Sequence, residues 1–393
     1  MKRTIYLDHA ATTFPKPECV YQKMDEINRS LAVNAGRGSY ALARKAVNVI
    51  DKVRMELAEI AHAAQVAEVV LAPSATCALN EIIGGIKIRQ TDTVYVSPFE
   101  HNAVIRPLHL KQEKIGFTIE ELPCREDCAE IDIEKMKYMF AKNPPAYVFM
   151  SHVSNVTGYI LPVERISNEA KKYQAEIIVD ASQSMGLIPI DFAAWALDYL
   201  VFAGHKTLYG AFGTGGFLIR HKRRLEPYFA GGTGSDSLNP RMPIQAPMAY
   251  EAGSPNIVSV SGLLAAMEDL KAHGNGAYED GIHFFYDKEK MLTERLITGL
   301  QKIQNVQLYL PPADAHIGIV AFNLKGYQAG DVGMILDEDY QIAVRTGYHC
   351  APLIHKVLGD ESYAGVVRAS VGRFTTEEEI ESFVDAVEEI LEG

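Results

Sequence analysis

Between residues 66 and 220 the chain alternates short apolar runs with amphipathic stretches. The runs EVVLA (68–72), DTVYVS (92–97), AYVFMS (146–151), EIIVD (176–180), YLVFAG (199–204) and GGFLIR (215–220) are rich in Val, Ile and Phe and are flanked by polar turns. Runs of this length and make-up read as buried strands. Helix candidates such as CALNEIIGGI, IDIEKMKYMFAKN and VERISNEAKKYQ lie between several of them. The alternation predicts an α/β domain with a mostly parallel sheet covered by helices. A stretch rich in Gly, Pro and Ser at 230–256 ends this texture. Beyond it the spacing predicts a helix at SGLLAAMEDLKAHG and a longer one around 279–303. Strands follow at VQLYL, HIGIVAFNL and QIAVRT, then an acidic terminal helix at EEEIESFVDAVEEILEG. The expectation is a large domain over residues 15–272 and a smaller α+β domain made of 1–14 with 273–393.

Composition narrows the functional classes. At 393 residues the chain is too long for one small core. Its net charge of −12 argues against a nucleic-acid backbone or an anionic membrane surface as partner. MKRTIYLDHAATT has no apolar core of signal-peptide length, and no stretch reaches the ~20 apolar residues of a membrane span, so a cytoplasmic location is expected. Five cysteines, Cys19, Cys77, Cys124, Cys128 and Cys350, are odd in number and widely spaced, which is not a disulfide framework. Cys124 and Cys128 form a C-x3-C pair with no second pair at zinc-site spacing, so they read as incidental loop cysteines and no structural metal is expected.

In open α/β sheets ligands bind beyond the carboxyl ends of the strands. EIIVD ends in Asp180, followed by Ser182 and Gln183, and a carboxylate at the end of a buried strand requires a cation. YLVFAG runs into His205 and Lys206. Asp180 and Lys206 form either a structural ion pair or a cofactor site, in which Asp180 faces a protonated pyridine ring and Lys206 holds that ring's aldehyde as a Schiff base. Pyridoxal phosphate also needs a phosphate cradle, and Pro73-Ser74-Ala75-Thr76 at a helix N-terminus offers free N–H groups and hydroxyls, although Ser and Thr are also common caps. DTVYVS leads to His101, which either stacks on a ring or is a satisfied structural histidine. AYVFMS leads to Asn155, whose amide either makes the turn before Gly158 or binds a ligand. Near the C-terminus RTGYHCAP sets Cys350 after His349 and five residues from Arg345. A lone cysteine is commonly a buried apolar group, whereas a locally basic stretch lowers a thiol's pKa and makes it a nucleophile.

Together the segments YLDHAATT, NAGRGSYALA, EHNAV, SHVSNVTG, VDASQS, FAGHKTLYGAFGTG, YEAGSPN, AVRTGYHCAP and VRAS, from Tyr6 to about Thr376, carry a family resemblance. The chain resembles the fold-type I pyridoxal-phosphate enzymes of the class V aminotransferase group, and within it the SufS-like (type II) cysteine desulfurases and selenocysteine lyases. The resemblance implies the fold-type I α/β architecture, with the cysteine loop on the smaller domain. It implies Lys206 as the Schiff-base lysine, Asp180 as partner of the pyridinium nitrogen, Gln183 on the ring hydroxyl and His101 stacked on the ring. Thr76, beside Ala75, and His205 would bind the phosphate, with Ser254 reaching it across a homodimer interface. Asn155 and Arg368 would hold the substrate carboxylate, and Cys350 would accept the sulfur. The implied reaction turns L-cysteine into L-alanine, with a persulfide passed to an acceptor protein that docks at a compact loop, as in iron–sulfur cluster assembly. Selenocysteine lyase, another lyase or aminotransferase of this fold, and a non-catalytic binding module are the alternatives. The chain departs from the pattern at Ala203 before GHK, at Cys77 after the phosphate-loop threonine, at Gly36 and at Tyr348, which replaces the first His of the usual HHC. These departures bear on substrate and acceptor rather than on cofactor.

Overall fold

A computed structural model describes residues 4–35, 38, 40–125, 129–234 and 238–392. Cys128 and Gly36 lie outside the described residues. The chain opens with β1 (Ile5–Tyr6), α1 (Glu18–Ser30) and α2 (Ala41–Ile60). There follow β2 (Ala67–Ala72), α3 (Ala75–Gly85), β3 (Thr93–Val96), α4 (Asn102–Ile115), β4 (Thr118–Glu121), α5 (Ile133–Lys142) and β5 (Pro145–Ser151). Next come α6 (Val163–Lys171), β6 (Glu176–Asp180), β7 (Tyr199–Ala203), β8 (Gly215–Arg220), α7 (Ile257–His273) and α8 (Tyr278–Lys302). The C-terminal part holds β9 (Val306–Tyr309), β10 (Ile319–Leu324), α9 (Ala329–Tyr340), β11 (Ile342–Ala343), β12 (Arg345–Gly347), α10 (Ile354–Leu358), β13 (Val366–Ser370) and α11 (Glu377–Glu392).

Seven strands form the large sheet in the order β2-β8-β7-β6-β5-β3-β4. Only β8 runs against its neighbours, β2 and β7, so the other six strands all point the same way. Their carboxyl ends therefore lie along one edge. Successive residues of a strand face opposite sides. Val148, Ile177, Val179 and Leu200 thus enter one apolar cluster, while Phe149, Ile178 and Val201 enter the other. Burial on both faces explains why these strands are continuous apolar runs.

A separate apolar cluster unites Leu7 with Leu292 and Leu296 of α8, Val320 and Phe322 of β10, Val367 of β13, and Phe383 and Val387 of α11. These residues cover an antiparallel sheet of order β12-β13-β10-β9. The N-terminal strand β1 pairs in parallel with β11, which brings Leu7 and Asp8 to this body. QIAVRT, expected as one strand, divides into β11 and β12, which belong to different sheets. Among the described residues no helix is long and apolar enough to cross a membrane.

Candidate active site

The strand ends deliver their side chains to one cavity of about 210 Å³, lined among others by Ala75, Thr76, His101, Asn155, Asp180, Gln183, His205, Lys206 and Arg368. Nine of the eleven sequence-predicted site residues therefore meet. Ser254 does not: it is exposed outside the cavity, where Asn34 Nδ2 donates to its hydroxyl over 3.0 Å. Cys350 is also exposed and stands beside His349, which does line the cavity.

Lys206 follows β7 and Asp180 ends β6, two neighbouring parallel strands. Among the described residues no hydrogen bond or ion pair engages Lys206 Nζ, so the alternative of a structural Asp–Lys pair is not realised. Burial lowers the amine's hold on its proton; the Asp180 charge opposes this, while Arg368 and Arg345 add to it. Asp180 Oδ1 accepts from the Ser182 amide at 2.9 Å, which fixes the carboxylate's orientation. Gln183 Nε2 donates to the Ala10 carbonyl over 2.7 Å.

His101 is the N-cap of α4: its Nδ1 accepts from the Ala103 amide at 3.0 Å, which leaves the proton on Nε2. It is thus a structural cap whose ring also lines the cavity. Burial, with the Lys206 charge next, holds its pKa down at about 4. His205 is likewise held at about 4 by burial and Lys206; its Nδ1 lies 3.1 Å from Thr12 Oγ1 and its ring stacks on Phe212. Both imidazoles are neutral at pH 7.

Arg368 in β13 and Arg345 in β12 are direct cross-strand partners, and both line the cavity. Like charges placed opposite one another are unfavourable. Asp8 meets only one of them, accepting from Arg368 Nη2 at 2.5 Å. Arg368 Nη1 donates to the Asn155 carbonyl at 2.8 Å, and its buried Nε has no partner. The pair of guanidiniums favours an anion such as a substrate carboxylate.

In the segment RTGYHCAP, Arg345 Nη2 lies 3.8 Å from Cys350 Sγ. His349 does not supply the positive charge the sequence suggested. It is buried, and burial, reinforced by Arg368, pushes its pKa far down, so it is neutral. Its Nε2 instead bonds the Val366 carbonyl at 3.1 Å. His349 and Cys350 both take left-handed backbone conformations, with φ of +46° and +56°. Consecutive non-glycine residues there are strained, and such strain concentrates at functional sites.

Pyridoxal phosphate fits the groups present. Ala75 and Thr76 begin α3, where amides have no partner within the helix, and Ser74 Oγ caps the end by accepting from the Cys77 amide at 3.2 Å. A Cβ on Gly215 would come within 2.7 Å of Ala75 N, so only glycine lets β8 pass beneath this loop. Ser182 Oγ is buried without a partner. An unengaged amine, a carboxylate at the adjacent strand end and an anion cradle are the donor set this cofactor needs.

Sequence reasoning gave no role to Asp8, Ser182 or the facing of Arg345 on Arg368. Strand register sets that last contact, and a single sequence does not show register.

The chain matches the family described as Aminotransferase class-V over residues 5–383. It is 32% identical to the cysteine desulfurase of Pectobacterium atrosepticum, covering 98% of this chain and 92% of that one. It is 31% identical to a probable cysteine desulfurase of Methanothermobacter thermautotrophicus, covering 98% and 94%. Among solved structures, the apo cysteine desulfurase of Thermococcus onnurineus superposes with a TM-score of 0.90 at 30% identity, covering 99% of this chain and 95% of that one. The cysteine desulfurase CsdA of Escherichia coli gives 0.84 at 25% identity, covering 99% and 95%. With its α/β sheet, its strand-end lysine and aspartate and this near-complete match, the chain belongs to the class-V aminotransferase family of pyridoxal-phosphate-dependent enzymes.

Proposed function

We propose that this protein is a cysteine desulfurase that converts L-cysteine to L-alanine, with sulfur transferred to Cys350 as a persulfide and on to an acceptor. The observation that carries the reading is the position of Cys350, exposed and 3.8 Å from Arg345 Nη2, next to the cavity that contains Lys206. Bound pyridoxal phosphate supplies an electron sink that acidifies the Cα–H bond of an amino acid. Lys206 would hold its aldehyde before substrate arrives, and burial, which weakens the amine's hold on a proton, suits it to exchange a proton with the substrate Cα once released. Asp180 would keep the ring nitrogen protonated, Gln183 would bond the ring hydroxyl and His101 would stack on the ring. Thr76, the Ala75 amide and His205 would take the phosphate, joined by Ser254 of a second copy in a homodimer. Asn155 and Arg368 would orient the substrate carboxylate. The Cys350 thiolate then forms an S–S bond to the substrate sulfur as the C–S bond breaks, and the carbon is protonated to alanine.

The short segment from Cys350 through α10 to β13 supports a SufS-like subtype with a compact loop, from which an acceptor protein would have to collect the sulfur at the surface. On this reading residues 15–272 form the cofactor domain, 1–14 with 273–393 carry the nucleophile, and the enzyme works in the cytoplasm. The test is the rate of alanine formation from L-cysteine and L-selenocysteine, in reductant, for wild type and Cys350→Ala. Loss of the cysteine reaction in the variant supports the proposal. A selenocysteine preference that survives the substitution would identify a selenocysteine lyase instead.

A further inference from the structure

Behind the nucleophile segment lies a buried pair that touches neither the cavity nor Cys350. His355 on α10 is 4% exposed and Asp360 is fully buried, with His355 Nδ1 2.5 Å from Asp360 Oδ2. The other ring nitrogen, Nε2, lies 3.0 Å from the Tyr348 carbonyl. A carboxylate and a carbonyl are both acceptors, whereas a neutral imidazole has one N–H and one lone pair. Each contact therefore needs its own proton. The pair holds one proton at Nε2 and a second between Nδ1 and Asp360. With Nδ1 facing the buried carboxyl and Nε2 facing a carbonyl that can only accept, Nε2 is the donor to Tyr348.

That donor acts on the strained part of the chain. His349 and Cys350 persist in the left-handed region only if their surroundings over-determine them. The carbonyls of three successive residues are held: Tyr348 by the Ala351 amide at 3.0 Å and His355, His349 by Asn155 Nδ2 at 2.8 Å, and Cys350 by the Asn102 amide at 2.7 Å. The Tyr348 ring packs edge-on against His355 with centroids 5.0 Å apart. His355 is thus a second side chain, beside Asn155, anchoring the turn from outside the cavity.

Resting on Cys350 as the sulfur acceptor, we propose that His355, held in its donating state by Asp360, is a positioning residue that clamps the Tyr348 carbonyl and so presents the Cys350 thiolate to the substrate sulfur. The clamp serves the sulfur-transfer step and leaves removal of the Cα proton by Lys206 untouched.

The test compares two holoenzyme variants. His355→Gln keeps an N–H where Nε2 stood, whereas His355→Met fills similar space with no donor. His355→Met is expected to lower kcat for alanine formation from L-cysteine about tenfold or more, the effect of one misplaced contact in the transfer step. Its KM and its rate of solvent exchange of the substrate α-hydrogen stay as in wild type, and His355→Gln keeps most of the turnover. Wild-type turnover in His355→Met, equal loss in both variants, or parallel loss of α-hydrogen exchange overturns the clamp. Nitrogen-15 NMR of histidine-labelled wild-type enzyme, with His355→Gln assigning the resonance, reads the same claim if His355→Met does not fold. A protonated Nε2 is expected, and an unprotonated Nε2 overturns the proposal. Undiminished cysteine turnover in Cys350→Ala would instead remove the nucleophile reading, and would leave the Nε2 signal as it is.

Discussion

The strand-end face and the nucleophile segment solve the same problem, holding a reactive side chain still, by different means. Asp180, His101 and Asn155 end or follow strands with parallel neighbours, and Lys206 follows β7, which lies between parallel β6 and antiparallel β8; all these strands are buried on both faces, so the position of each side chain is set by the whole sheet. Cys350 sits two residues beyond the short edge strand β12 and its flanking residue, exposed, on a backbone that is locally unfavourable. Its position is set by a handful of hydrogen bonds reaching in from Asn102, Asn155 and His355. A cofactor site can rest on regular elements because the cofactor stays. On the proposed reading Cys350 must meet substrate on one side and an acceptor on the other, and a restrained turn at the surface allows both.

The comparison breaks most severely at Lys206. Lys206→Ala is expected to lower alanine formation by ~10³-fold or more and to abolish the yellow colour of the loaded enzyme, measured by turnover and absorbance. Cys350→Ala should lower cysteine turnover by ~10²-fold or more while keeping the colour and the solvent exchange of the substrate α-hydrogen. That contrast separates the two regions within one reaction. Arg345→Gln is expected to slow iodoacetamide alkylation of Cys350 several-fold, because it removes the positive guanidinium 3.8 Å from the attacking sulfur.

The smallest effect concerns acid stability of the cofactor face. Folding lowers the His101 pKa from 6.5 to about 4, so between these values the unfolded chain binds more protons and stability falls as the pH falls. Wild type should therefore lose on the order of 1–2 kcal/mol more than His101→Gln between pH 7 and pH 5, read from denaturant unfolding at each pH. Equal pH slopes would show that folding leaves the His101 pKa where it is in the unfolded chain.

The strand-end site was legible because buried parallel strands are written as unbroken apolar runs, and the residue after each run lies at the ligand edge. Lys206, Asp180, Asn155 and His101 were found in this way. The direction of β8 was not legible, since GGFLIR has the same composition whichever way it runs. α4 was missed because Pro107 interrupts its helical pattern, yet its capping histidine and Gly116 with φ +83° define both ends. His349 was misread as a source of positive charge because its neighbours in sequence are basic, whereas burial against Val366 decides its charge. Asp360 and His355 carry no signal at all, because a five-residue separation acquires meaning only after α10 and its turn have formed.

The central claim is that Cys350 receives the sulfur. The direct measurement is peptide mass spectrometry of the holoenzyme after a limiting amount of L-cysteine, without reductant. The account predicts one added sulfur atom on the peptide bearing Cys350, in step with the alanine formed. Alanine formed with no sulfur on Cys350, released instead as free sulfide or found on Cys77 or Cys124, would contradict it.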